Sequence, residues 1–327
     1  MKRIALRWNA FWFAPAPPLT LGVCRAVFFA TLLLWQLPRD FAPWGAYSRT
    51  FWMPIWLFET TGLRPLPPQA IEWLQTIWKA SLALSAIGLF TRPAMVVAFA
   101  LGTYLMGLPH NFGQTQHFDT LVVFACGALA LSHAADACSI DALIAARRQA
   151  QPAWTRRTAA GEYTWPIRFV WVMMSLIFCA AGISKLRHSG IGWVASDNLA
   201  MLLLRQQYHL SDGEPLTTWG IWVANHPWLA RAMAAASVSV ETLFPLALFN
   251  RYARLLLVPA GLAFLVGIRV LMGPTFEQFM LCCVFWVPWD RVLYNAPLYA
   301  AVARRRAAHL RGGLSAARAG ARLTAGD

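Results

Sequence analysis

The stretch Phe169-Val-Trp-Val-Met-Met-Ser-Leu-Ile-Phe-Cys-Ala-Ala-Gly-Ile-Ser-Lys-Leu186 decides how this chain is read. From Phe169 to Ala181 it carries no charge; it then passes through small residues to Lys185. A helix that crosses the hydrocarbon of a bilayer needs about 20 mostly apolar residues, and the run 165–184 supplies them. A lysine at its end is either a snorkelling anchor or a site.

Working outward, apolar runs of this kind recur at 20–37, 71–91, 93–109, 118–133, 230–249, 252–272 and 275–290. With 165–184 they make about eight crossings. The runs at 118–133 and 275–290 are short, and suit tilted, partial or protein-packed helices. The expectation is an all-α polytopic membrane bundle, since open strands leave backbone groups unsatisfied in lipid. Composition agrees: 58% of the 327 residues are hydrophobic and 13% charged, against roughly 25% charged in soluble domains. The 17 tryptophans suit interfacial belts.

The formal charge of +14 does not imply nucleic acid, because the basic residues sit at loop ends and in the tail rather than in a soluble basic domain. Their asymmetry orients the bundle. Arg92, Arg147, Arg148, Arg251, Arg254 and the arginine-rich segment 304–327 gather on one side, so both termini are expected in the cytoplasm. Three parts follow: a cytoplasmic segment 1–19 with no cleavable signal, a transmembrane domain 20–303, and a basic tail 304–327. Two aromatic-rich segments, 51–58 and 193–208, are expected on the outer side as interfacial helices, the first alternatively as a re-entrant piece. None of the six cysteines has metal-ligand spacing, and no metal is expected.

Ionisable residues inside apolar runs are costly and raise a site hypothesis by default. Here they are Arg25, Lys79, Asp119, Glu241, Arg269 and Glu277, with His117 and Lys185 at helix ends. Lys79 and Glu241 fall at similar depths, about 12 and 16 Å from the outer ends of their helices, and are expected to form a structural ion pair. Arg25 can snorkel inward. Arg269 and Glu277 can anchor the Gly273-Pro274 turn, and His117 alone reads as an interfacial histidine.

Taken together, these segments resemble the HTTM (horizontally transferred transmembrane) family, bacterial relatives of the vitamin K-dependent gamma-glutamyl carboxylases. The resemblance is carried by Leu21-Gly-Val-Cys-Arg25, Leu63-Arg-Pro-Leu-Pro67, Gln116-His-Phe-Asp119 with Ser139-Ile-Asp-Ala142, and Ala181-Gly-Ile-Ser-Lys-Leu186 followed by Trp193. It covers about residues 20–290. It implies that Lys185 is the base that deprotonates a reduced quinone, and that His117 supports the developing oxyanion. Trp193 and Arg269 would contribute to cofactor binding. The implied cosubstrates are a menaquinol or vitamin K hydroquinone-like quinol, oxygen and carbon dioxide. The implied partners are the bilayer, the lipid-soluble quinone and an extracytoplasmic peptide or protein, in a bacterial inner membrane. A large luminal substrate domain like that of the eukaryotic carboxylases is not seen, and Arg269 stands where a histidine is expected. The alternative reading is a non-catalytic membrane partner in maturation or export of a secreted peptide.

Overall fold

The computed structural model describes residues 2–113, 118–148, 159–208 and 214–294. Regular structure among them is helical throughout, apart from one bridge between Ala16 and Ala160. In chain order the helices are α1 (Lys2–Trp12), α2 (Pro18–Gln36), α3 (Trp56–Thr61), α4 (Pro68–Ile87), α5 (Thr91–Gly107), α6 (Phe118–Ala130), α7 (Ile140–Arg148) and α8 (Trp165–Ser189). They continue as α9 (Gly192–Ala195), α10 (Asn198–Gln207), α11 (Trp219–Ala224), α12 (Pro227–Leu243), α13 (Leu246–Phe249), α14 (Arg251–Leu271), α15 (Glu277–Cys282) and α16 (Trp289–Tyr294). The last belongs to a separate unit that begins at Pro288.

Among the described residues four helices are long and apolar enough to cross a membrane: Pro18–Gln36, Thr91–Phe112, Gly161–Ser189 and Arg251–Leu271. The other expected crossings differ for visible reasons. Helix α4 has 20 residues but carries Gln69, Glu72, Gln75 and Lys79. Helix α12 has 17, and the apolar stretches Asp119–Ala130 and Glu277–Trp286 are shorter still.

Prolines open α2, α4, α8 and α12 within their first turns, where a missing N–H costs nothing. Asn250 caps α14 by accepting from the backbone of Tyr252 and Ala253. Packing follows the chain: α2 on α4, α4 on α5, α5 on α6, α6 on α8 and α8 on α12. The short α15 touches α2, α6, α8 and α14. Its residues Phe279, Leu281 and Cys282 are buried, so the piece too short to cross is a central plug.

Arg25 does not snorkel. It is fully buried, and its guanidinium donates to the carbonyls of Ser85, Ala86, Ala134 and Cys138. Ser85 and Ala86 lie in the last turn of α4, where unpaired carbonyls and the helix dipole both favour a cation. Gly88 ends α4 at φ +74°, and a Cβ there would meet Ser139 at 2.4 Å and Arg25 Nη1 at 2.8 Å. The next loop is tied in as well. Ser139 caps α7 through the Ala142 N–H, while the Asp141 carboxylate accepts from Phe90 N, Thr91 N and Thr91 Oγ1 at the start of α5. The Ser139-Ile-Asp-Ala142 motif therefore joins two helix starts.

The two aromatic segments form short helices. In segment 51–58 the backbone runs extended from Trp52 into α3, which exposes Trp56. Segment 193–208 becomes α9 and α10. Leu203 and Ala200 of α10 are buried against Val223 of α11 and Ala230 of α12, while Met201 faces outward.

Candidate functional site

The site begins with a glycine. A Cβ on Gly182 of α8 would meet Thr242 Cγ2 at 2.7 Å, Thr242 N at 2.9 Å and Glu241 Cβ at 3.0 Å on α12. Only a residue with no side chain lets the two helices approach this closely. One turn further along α8, the Lys185 ammonium meets the Glu241 carboxylate and donates to both its oxygens. The Glu241 side chain is 5% exposed and that of Lys185 23%. The carboxylate is thus the buried member of the pair, and the lysine the member that can be reached from outside.

Two aromatic rings flank the ammonium. Lys185 Nζ lies 5.6 Å from the ring centroid of Trp193 and 5.9 Å from that of Phe264 on α14, inside the range in which a ring face attracts a cation. Trp193 comes into place because the chain reverses at Gly190, whose N–H closes α8 on the Leu186 carbonyl at 2.8 Å. Beneath the pair, Phe178 stacks on Phe244 at 4.5 Å and meets Phe279 edge-on at 5.9 Å. Trp171 stacks on Trp286 at 4.4 Å. Trp171, Phe178 and Lys185 recur every seven residues along one face of α8, so aromatic layers line the face of α8 that leads to the lysine.

The energetics favour this partnership. A buried carboxylate without a counter-charge costs several kcal/mol. Contact between opposite charges at an effective dielectric near 20 returns about 4 kcal/mol.

The ion pair expected between Lys79 and Glu241 is not the one formed. Lys79 donates to the carbonyls of Leu37 at 3.1 Å and Arg39 at 2.8 Å, closing the end of α2, and Glu241 belongs to Lys185. Matching depth was the wrong criterion. Depth along a helix says nothing of which face meets which neighbour.

Arg269 spends its Nη1 on the carbonyls of Glu214 at 2.7 Å and Gly273 at 2.8 Å, which fits its reading as an anchor of the Gly273-Pro274 turn. His117 lies outside the described residues. Asp119, two residues on, accepts from Gln278 of α15 at 2.9 Å and lies 3.8 Å from Arg39. A separate groove of about 590 Å³ is lined by Thr218, Trp219, Trp222, Val223 and Leu271, and includes none of the residues singled out from the sequence.

Sequence reasoning missed Phe264 altogether and gave Glu241 the wrong partner. The signal was present in Gly182. A small residue one turn before a lysine in an apolar helix marks a close helix crossing, which is where a partner carboxylate can reach.

No family model, no curated protein and no solved structure matches this chain.

Proposed function

We propose that this is a multi-pass membrane protein whose Lys185–Glu241 pair moves a proton of a lipid-soluble quinol, as the resemblance to the HTTM family and the vitamin K carboxylases implies. One observation carries the reading: a lysine joined to a buried carboxylate between two aromatic faces, at the end of an apolar helix. Four helices able to cross a membrane support the setting. The finer topology adds α4, with its Glu72 and Lys79, and the shorter α6, α12 and α15 as crossings or insertions, with both termini cytoplasmic and the lysine end of α8 outside, in a bacterial inner membrane.

The residues fit a quinol. Trp193 and Phe264 offer planar apolar surfaces to an aromatic ring, and the partly exposed lysine is within reach of its hydroxyl. When bound, the quinol supplies an acidic hydroxyl and, with oxygen, oxidising power; carbon dioxide would be the group transferred to a peptide acceptor. Lys185 has two tasks. As a base it must present a free amine to the quinol hydroxyl, and the Glu241 carboxylate at hydrogen-bond distance orients it there. Once protonated, the ammonium stays beside the hydroxyl it has deprotonated and stabilises the negative charge there.

The same contact also favours a second reading. A lysine fully engaged by a carboxylate fastens α8 to α12 without any chemistry, as a non-catalytic maturation or export partner would require. Oxygen uptake by purified protein supplied with reduced naphthoquinone separates the two. Catalysis predicts quinol-dependent uptake that Lys185→Arg abolishes with the melting temperature retained, since arginine keeps the charge but cannot act as a base near neutrality. Uptake unchanged by Lys185→Arg, or absent from wild type that carries no quinone, leaves the fastening role.

A further inference from the structure

At the far end of α8 from Lys185, about 26 Å away at the helical rise, two arginines share one ring. The guanidinium carbon of Arg168 lies 4.2 Å from the ring centroid of Trp171, and that of Arg254 lies 4.2 Å from the same centroid. The two cations are therefore within twice that distance of each other. Trp171 is held firmly, donating through its indole N–H to the Phe285 carbonyl at 2.8 Å and stacked on Trp286. Arg254 is pinned as well, donating from Nε to Ala247 O at 3.0 Å and from Nη2 to Leu248 O at 3.2 Å. Its Nη1 has no acceptor among the described residues. Arg168 has none at all there; it rests on Trp171 and on Phe11, 5.1 Å away.

No carboxylate among the described residues pairs with either arginine. Glu162, the acid nearest to Arg168 in sequence, lies 3.6 Å from His133, and residues 149–158 contain no acid. Each arginine is the fourth residue of its helix, α8 or α14. Both helices therefore bring the positive ends of their dipoles to this place, where a cation is disfavoured and an anion favoured. Two half-buried cations side by side at two positive helix ends call for an anion that the described residues do not supply.

The surroundings say where the anion comes from. Helices α8 and α14 are both long and apolar enough to cross a membrane, so their shared starting end lies at a bilayer face. Helix α1 adjoins it through Phe11, which also meets Phe249 at 5.9 Å. Ile4, Leu6 and Trp8 of α1 are exposed, and Arg7 beside them supplies basic charge. That combination suits a helix lying in the headgroup layer. We propose that Arg168 and Arg254 hold the phosphate of an anionic phospholipid headgroup, the Arg168 fork and Arg254 Nη1 donating to its oxygens. This site is independent of the quinol reading.

The test is native mass spectrometry of the full chain in detergent with phosphatidylglycerol and phosphatidylcholine of identical acyl chains, with inorganic phosphate in a parallel arm. Wild type should prefer phosphatidylglycerol by at least tenfold. Arg168→Gln and Arg254→Gln should each lose roughly tenfold in that affinity, as removal of a charge-assisted contact predicts. Arg168→Lys should lose less, and Arg92→Gln, an exposed arginine at the start of α5, nothing. Should a glutamine variant fail to fold, wild type alone decides, since the preference must weaken steeply with added salt. Equal binding of the two lipids, or a preference that survives in the double glutamine variant, overturns the site. Stabilisation by millimolar inorganic phosphate without lipid preference overturns the lipid assignment in favour of a free phosphate.

Discussion

Replacing Lys185 by methionine should destabilise the protein far more than replacing Glu241 by leucine, and the two changes together should cost little. The asymmetry comes from burial. Lys185→Met strands a carboxylate whose side chain is 5% exposed, whereas Glu241→Leu strands an ammonium that is 23% exposed and can swing toward water. Breaking a buried pair typically costs about 3–5 kcal/mol, and replacing both partners by apolar residues is often neutral. The carboxylate has one escape, which is to take up a proton. From an ordinary value near 4.3 this costs about 3.7 kcal/mol at pH 7 and about 1 kcal/mol at pH 5. The expected losses at pH 7 are therefore about 3–4 kcal/mol for Lys185→Met, about 1–2 for Glu241→Leu and under about 1.5 for the double variant. The Lys185→Met loss should shrink by more than half at pH 5. Unfolding by sodium dodecyl sulfate titration from mixed micelles, followed by tryptophan fluorescence, gives these values directly. Additive single losses would show that the pair is not coupled. A larger loss from Glu241→Leu would refute the burial argument itself.

Gly182→Ala should lower stability by about 1–3 kcal/mol, because its Cβ would meet Thr242 and Glu241 at 3.0 Å or less; an unchanged melting temperature would mean that the helices are not in close contact there. Arg25→Leu leaves the carbonyls of Ser85, Ala86, Ala134 and Cys138 without their donor and should cost more than about 3 kcal/mol. Arg25→Lys should not rescue it, because an ammonium cannot reproduce the planar fork, and full rescue in a thermal melt would contradict the geometry. The Asp40 carboxylate is held below its ordinary range first by the Ala42 N–H and then by the Gln75 amide. The stability it contributes is present above the ordinary carboxyl value and is lost as pH falls through the lowered one, so the melting difference between wild type and Asp40→Asn should shrink as pH is taken below the ordinary carboxyl range. For orientation, a cysteine at Asn198 and one at Gln151 in a cysteine-free background should differ, only the former reacting with an impermeant thiol reagent in whole cells; equal labelling would reverse the assignment.

Composition and hydropathy determined by themselves that the chain is helical and suited to lipid. Apolar length and charge scarcity act locally, so they can be read from one segment at a time. The lysine at the end of α8, the buried charges at Arg25 and Glu241, and the shortness of the last apolar run were legible for the same reason. Tertiary structure alone decided what those groups do. Helical rise gives depth, but partner choice depends on which faces turn toward each other, and that is set by contacts between segments far apart in sequence. Glu241 therefore meets Lys185, across the gap that Gly182 leaves open, rather than Lys79 at a matching depth. Arg25 finds its acceptors on carbonyls some 60 to 113 residues away, which no local pattern announces. The short α15 becomes the plug because α2, α6, α8 and α14 surround it, and Phe264 becomes part of the lysine site only because α14 packs beside α12.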